Sequence, residues 1–196
     1  VCTGAVPTMR IHLIVGTAPV HTVGGKVNEP VYASNYAEAV AAMGYSDEWD
    51  KYDICEEIYS SFKLYSNGPI IMVNVLDPAK HLKGAETVEK TLAGGITELP
   101  YEAVSDTVEV KGYDGEDSLT ETYTRGEDYD LFYTDGVLRL ERIESGKIKA
   151  DNARLNIKFN SVDPSKVTKK EIIGGYDTNT NKSSGFELVD SVYPVS

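Results

Sequence analysis

Histidines, cysteines, acidic clusters and glycine-bearing loops are the places where this sequence could do chemistry. His12, His21 and His81 share no helical or metal-ligand spacing, and no cysteine neighbours them, so they form no zinc-type ligand set. His12 falls inside an apolar run that reads as a strand, which makes it a structural residue. His81 follows Asp77-Pro78-Ala79-Lys80 in a turn, where it is either solvated or forms a cap. Cys2 and Cys55 lie far apart and belong to no C-x-x-C pair, so they read as free thiols of a reducing cytoplasm. No G-x-S-x-G elbow is present to present a serine nucleophile.

Two glycine-bearing stretches, Gly16-Thr17-Ala18-Pro19 and Gly24-Gly25-Lys26, follow the first apolar run. A phosphate cradle needs G-x-x-x-x-G-K-[ST] or G-x-G-x-x-G, and neither occurs; Val27 stands where a hydroxyl would hold Mg²⁺. These stretches read as surface loops, which argues against a nucleotide-using enzyme. The acidic clusters Asp114-Gly115-Glu116-Asp117 and Gly126-Glu127-Asp128-Tyr129-Asp130 carry oxygens that Ca²⁺ accepts, but not the EF-hand spacing or its final Glu, and they read as solvated turns. Tyrosines concentrate in the middle of the chain, where Tyr on a sheet either stacks on a sugar or partner or packs across strands. The residues thus assign no catalytic, cofactor-binding or metal-binding group and imply no cofactor.

The elements that would position such residues fall into two textures. The 196 residues are 41% hydrophobic and 26% charged, the composition of a globular protein with one generous domain or two small ones. A net charge of -12 disfavours duplex DNA or an anionic membrane as the main partner. No apolar run reaches the ~18 residues of a membrane helix, and the start, Val1 to Pro7, is too short and uncharged for a signal peptide. The chain begins without Met, which reads as a fragment.

The first third reads as α/β. Ile11-His12-Leu13-Ile14-Val15 is a strand ending at Gly16. Asn35 with Glu38 fits a capping box for a short helix over Ala37–Met43, stopped by Gly44. A second helix runs from about Lys51 to Tyr65, with Ile54, Ile58, Phe62 and Tyr65 on one stripe and Cys55 and Tyr59 beside it. After Asn67-Gly68-Pro69 comes Ile70-Ile71-Met72-Val73-Asn74-Val75-Leu76, a strand apolar on both faces, pairing parallel to the first. Two parallel strands are too few for a sheet, so the reading places the missing strands beyond Ser196.

From about Ala85 the period becomes two. Val108/Val110, Leu138/Leu140 and Leu155/Ile157/Phe159 alternate with polar residues, and Asp135-Gly136 between Leu131-Phe132-Tyr133 and Val137-Leu138 signals a hairpin. Residues 85–162 therefore read as an inserted antiparallel β domain, a thin sandwich or barrel of modest stability. Helical texture returns with Asp163-Pro164-Ser165 and Thr168 as start signals and Gly174-Gly175 as a stop. Ser183 or Ser184 caps a last helix through Phe186, Leu188, Val189 and Val192, halted by Pro194. The fold class is α+β: a partial α/β layer, 1–84 with 163–196, interrupted by the β domain.

Several stretches in order resemble the tail sheath family of contractile phages and phage-tail-like particles. Val15-Gly16-Thr17-Ala18-Pro19-Val20 followed by Val27-Asn28-Glu29-Pro30-Val31 is similar to the start of sheath proteins from Gram-positive prophages. Tyr36-Ala37-Glu38-Ala39-Val40, Gly44-Tyr45-Ser46-Asp47 and the Tyr52–Phe62 helix follow; Asn74-Val75-Leu76-Asp77-Pro78 with His81 is the most specific match. Ile172-Ile173-Gly174-Gly175-Tyr176-Asp177 and Gly185-Phe186-Glu187-Leu188-Val189 resemble the segment leaving the inserted domain.

The resemblance implies a structural, non-enzymatic subunit that polymerises around a tail tube and contracts to drive it through a cell envelope. Its partners would be other sheath subunits, the tube protein, the baseplate and the tail terminator, with no direct nucleic acid and no membrane insertion. It implies a place in the virion tail after assembly in the host cytoplasm, an outward-facing inserted domain, and exchanged arms, largely missing here, so that this fragment is monomeric. A cell-surface glycan-binding β module, with Tyr123 and Tyr133 as stacking platforms, is the alternative.

Overall fold

The structure, a computed structural model, describes residues 11–113 and 118–192. Cys2, the first acidic cluster at 114–117, the stop at Pro194 and the side chains of Val189 and Val192 lie outside what it describes. The chain divides into two compact units, one made of residues up to Leu76 with those from Val167 on, the other Asp77–Lys166. The joins thus fall at 76/77 and 166/167, where the sequence reading drew them at 84/85 and 162/163.

The first unit opens with β1 (His12–Gly16), a strand of the expected run. After a single 3₁₀ turn at Val20–Thr22 comes β2 (Pro30–Ala33), which the sequence reading passed over. Helix α1 (Tyr36–Met43) is capped by Asn35 as expected, its Oδ1 accepting the Glu38 N–H at 3.0 Å, but the box is not reciprocal: the Glu38 carboxylate takes the Ser34 N–H at 2.8 Å, not that of Asn35. Gly44 ends it at φ 74°, a conformation that favours glycine.

Helix α2 (Asp53–Tyr59) is shorter than expected and passes into a π turn over Ser60–Leu64, closed by the Tyr65 N–H on the Ser60 carbonyl at 3.0 Å. Ile54 and Ile58 are buried, but the wider turn rotates Tyr65 off their stripe, and it is 76% exposed. Strand β3 (Ile70–Asn74) is buried at every position.

Strand β3 is central. It pairs parallel to β1, as expected, and antiparallel to β2 on its other side. A third strand of the sheet therefore lies between β1 and α1 in sequence, where none was expected. It is four residues long and opens on Pro30, which an edge strand tolerates at its first position.

In the second unit, β4 (Glu86–Thr91), β6 (Glu109–Tyr113), β7 (Leu119–Tyr123) and β10 (Arg154–Phe159) form one antiparallel sheet in the order β4-β10-β6-β7. β5 (Ile96–Pro100), β8 (Tyr129–Thr134) and β9 (Val137–Arg142) form another, in the order β5-β9-β8. The inward residues of both, including Val110, Leu155, Ile157 and Phe159 from one and Leu99, Leu131, Leu138 and Leu140 from the other, make one buried cluster. Two open sheets over a shared core are a sandwich; the barrel alternative is not realised. Asp135 and Gly136 take φ 49° and 76° in the β8–β9 hairpin, as expected of that pair.

The chain returns to the first unit with α3 (Lys169–Ile173), whose Thr168 and Glu171 complete a reciprocal capping box. A short hairpin that the sequence reading did not anticipate, β11 (Gly175–Asp177) and β12 (Lys182–Ser184), leads to α4 (Gly185–Val192). Ser184 does not cap that helix; its hydroxyl reaches the Gly175 carbonyl at 3.3 Å inside the hairpin.

The three-stranded sheet is covered on both faces. Ile14, Ile70, Met72, Val31 and Ala33 meet α1 and α2 through Ala39, Met43, Ile54 and Ile58. Leu13, Val15 and Val73 meet Ile172 of α3 and Leu188 of α4. This double cover is why β3 is apolar on both alternating sets.

Candidate functional site

The sharpest motif, Asn74 to Pro78, is a structural lock. Asn74 is fully buried at the end of β3. Its Oδ1 accepts the Ala18 N–H at 3.0 Å and the Leu76 N–H at 3.1 Å, while Nδ2 donates to the Leu76 carbonyl at 2.8 Å. Its backbone carbonyl takes the Asn28 N–H at 2.8 Å. One residue thus fixes the loop after β1 and the exit of β3, and a buried amide of this kind is stable because its groups are matched.

Gly16-Thr17 is a second lock. The Thr17 N–H donates to Asp53 Oδ1 at 2.6 Å, its hydroxyl donates to the Lys51 carbonyl at 2.8 Å, and the Ile54 N–H returns to the Thr17 carbonyl at 3.1 Å. A Cβ on Gly16 would collide with the Asp53 carboxylate, so the glycine lets that carboxylate approach. The amide that a phosphate would seek is therefore already given to the protein's own anion. Gly25 packs against the Ala42 carbonyl, and Lys26 Nζ pairs with Glu29 Oε2 at 2.6 Å, so the second glycine loop is a surface turn seated on α1.

The histidines do not come together as a ligand set, and among the described residues no three His, Cys, Asp or Glu side chains meet as a metal site would require. His12 stands at the start of β1 with Nδ1 facing Glu57 Oε1 and Nε2 facing Asn67 Nδ2, each at 3.2 Å. His21 lies in the Val20–Thr22 turn. Of the two roles open to His81, the structure has the cap: the ring is buried and Nδ1 accepts the Asp77 N–H at 2.9 Å, while Asp77 Oδ1 takes the Ala79 N–H at 2.8 Å. Cys55 is buried on the inner side of α2, and burial pushes its thiol up to about 11, which leaves it a small hydrophobe.

The described acidic cluster differs from the expected solvated turn at Tyr129, which is buried, and at one of its acidic residues. Glu127 and Asp130 are exposed, but Asp128 is buried, its carboxylate accepting the Thr124 N–H and the Lys147 N–H at 2.8 Å each. Burial pushes that carboxyl up, but the two amides and the charges of Lys147 and Lys149 outweigh it and hold it below the ordinary range.

Neither tyrosine proposed as a sugar platform is free for that task. Tyr123 packs on the sandwich core, and Gly112 gives its ring room. Tyr133 also packs there, its hydroxyl donating to the Ala103 carbonyl at 2.6 Å and accepting the Ser105 N–H at 3.1 Å. Burial pushes the Tyr133 hydroxyl up.

The first unit also carries an open cleft of about 700 Å³, lined by Asn28, Glu29, Tyr176, Asp177, Asn181 and Lys182 among others. Its polar groups bond to one another: Tyr176 donates to Asn181 Oδ1 at 2.9 Å, and Asp177 accepts the Asn179 N–H at 2.8 Å and the Thr180 hydroxyl at 3.0 Å. The Asn179 amide leads the contacts that hold the Asp177 carboxyl below its ordinary value. The lining contains no histidine or cysteine and no nucleophile paired with a base.

Sequence reasoning named Asn74, Thr17 and His81 as parts of motifs without finding what they bind. The one available signal for Asn74 was a polar residue inside an otherwise apolar central strand, which requires a buried partner set.

No family model matches this sequence. Among curated proteins, it is 31% identical to the tail sheath protein of Burkholderia phage BcepMu over 182 residues, 92% of this chain. The chain spans about a third of the length of that relative, 35%. The match runs through both units, including the β sandwich, which resembled the family only in texture when read alone. The ordered motifs and this match agree, and the chain belongs to the phage tail sheath family.

Proposed function

We propose that this segment belongs, in its full-length protein, to a structural subunit that polymerises with copies of itself around a tail tube and contracts to drive the tube through a cell envelope. The similarity to a phage tail sheath protein across 92% of its residues carries this reading. The use of polar side chains supports it. Asn74, Asp53, Asp128, His81 and Tyr133 all bind backbone groups of their own unit, which makes each unit a stiff body. A lattice that switches between two packings needs subunits that rotate as rigid bodies, and repeated heterologous contacts generate a helical polymer. On this reading the subunit makes and breaks no covalent bonds. It resides in the virion tail after assembly in the host cytoplasm and meets the tube protein, baseplate and tail terminator through other parts of the full-length protein. The β unit faces outward.

Cryo-microscopy of the full-length protein co-expressed with its tube partner tests the proposal. Helical tubes or stacked rings with the β unit on the outer surface are the expected result. Particles that stay single in the presence of the tube protein would overturn it.

A further inference from the structure

Asn67-Gly68 is the only Asn-Gly step in the sequence, and it lies in the exposed connection between the π turn after α2 and the central strand β3. We propose that Asn67 is a site of spontaneous deamidation, and that its product sets a new carboxylate against His12.

The reaction needs a side-chain amide and an unhindered following nitrogen. The Gly68 nitrogen, having given its proton to water, attacks Asn67 Cγ. The Cγ–Nδ2 bond breaks, ammonia leaves, and a five-membered imide remains. Water then adds to either ring carbonyl. Opening of the Cγ–N bond leaves aspartate; opening of the original peptide bond leaves isoaspartate, with the backbone rerouted through the side chain. No oxidant or reductant is involved. A residue with a Cβ after the asparagine crowds this approach, and glycine does not.

Three observations favour this position. Both residues are exposed to the water that the reaction consumes. Among the described residues nothing accepts a hydrogen bond from the Gly68 N–H, so the nucleophile is not held elsewhere. The fold also retains the glycine, because a Cβ there would stand 2.6 Å from Phe62 Cε1, and Phe62 packs on the helix-side core. Every other asparagine is followed by a residue that carries a Cβ, such as Asn74 by Val75 and Asn156 by Ile157.

The neighbourhood gives the product a consequence. Glu57 Oε1 faces His12 Nδ1, which therefore carries the hydrogen, so Nε2 is the acceptor for Asn67 Nδ2. Aspartate at 67 has no hydrogen to donate at neutral pH. The hydrogen bond from residue 67 to His12 Nε2 is then lost, and a carboxylate oxygen stands where the amide donor stood. Isoaspartate would in addition lengthen the backbone leading into β3.

The test ages the folded protein at mildly alkaline pH and maps its peptides by mass spectrometry, with enzymatic methylation of isoaspartate as a second readout. Aspartate and isoaspartate should accumulate at position 67 several-fold faster than at any other asparagine. Asn67→Gln keeps an amide toward His12 but closes the ring far less readily, and should lose the signal while folding normally. The Nε2 chemical shift of His12 should change in the aged protein as the amide donor at residue 67 is lost. Conversion elsewhere with Asn67 intact, or an unchanged methylation signal in Asn67→Gln, would overturn the site; an unchanged His12 Nε2 shift in protein converted to aspartate would overturn its coupling.

Discussion

The two units solve the same problem by different means. The β unit pools its buried apolar residues into one cluster to which both sheets contribute. The α/β unit divides its own among separate clusters on the two faces of a three-stranded sheet and beside α2, and adds polar locks that reach across the sequence. Asn74 reaches back 56 residues to Ala18, and Asp53 reaches 36 residues to Thr17. A sandwich can rely on area, because two sheet faces bury much surface against each other. A small sheet with helices on both faces has longer loops to hold, and hydrogen-bonded side chains hold them. The sequence reading expected a thin sandwich or barrel in the β unit; the structure has a sandwich whose two sheets share a single buried cluster.

This contrast can be broken from either side. The largest effect should come from Phe159→Ala, which empties the centre of the sandwich and should cost about 3–5 kcal/mol. The single tryptophan, Trp49, lies in the other unit and provides a separate signal. Denaturant titration should show the far-UV transition shifted and the Trp49 fluorescence transition little changed. A joint shift would mean that the units unfold as one.

Asn74→Ala should do the reverse. It leaves the Ala18 and Leu76 amides without their acceptor, at a cost of about 1–3 kcal/mol for a buried unmet group. The Trp49 transition should move, and the sandwich should not.

Gly136→Val forces a branched residue to φ 76° in the β8–β9 turn and should cost roughly 1 kcal/mol or more. Thermal melting identical to the parent would refute the turn's importance.

Acid should act on the β unit through Asp128. Its folded-state value is depressed, so its contribution is complete above the ordinary carboxyl range and is lost as pH falls through the lowered folded value. Asp128→Asn should flatten the acid limb of the sandwich transition below about pH 4, measured by circular dichroism. The smallest effect concerns Cys55. With its thiol pushed up to about 11 and buried, it should resist alkylation in the native state and react only when the α/β unit opens. Labelling of the Cys55 peptide at the rate of an exposed thiol would contradict its placement.

Much of the fold was legible where the deciding groups are close in sequence. Asn35 with Glu38, Thr168 with Glu171, Gly44 and Gly174 as stops, and Asp135-Gly136 as a hairpin turn all act within one turn of the backbone, so residue types suffice. The alternating strands β6, β9 and β10 were readable because one face is dry and the other wet. Strand β4 turns only Val88 among its apolar residues to the core and β2 is short, so neither carries an apolar period to read.

The family was legible from the order of motifs, and what each motif does was not. Residue order alone determined the local caps, the hairpin turn, the alternation of the inserted unit and the family. Tertiary structure alone decided that β2 joins the sheet, that a π turn rotates Tyr65 outward, and that Asn74 and Asp53 bind the backbone amides of Ala18 and Thr17. The reason is physical. A hydrogen-bond donor four residues away is fixed by the local backbone, whereas one fifty residues away is fixed only once the packing that brings it near has formed.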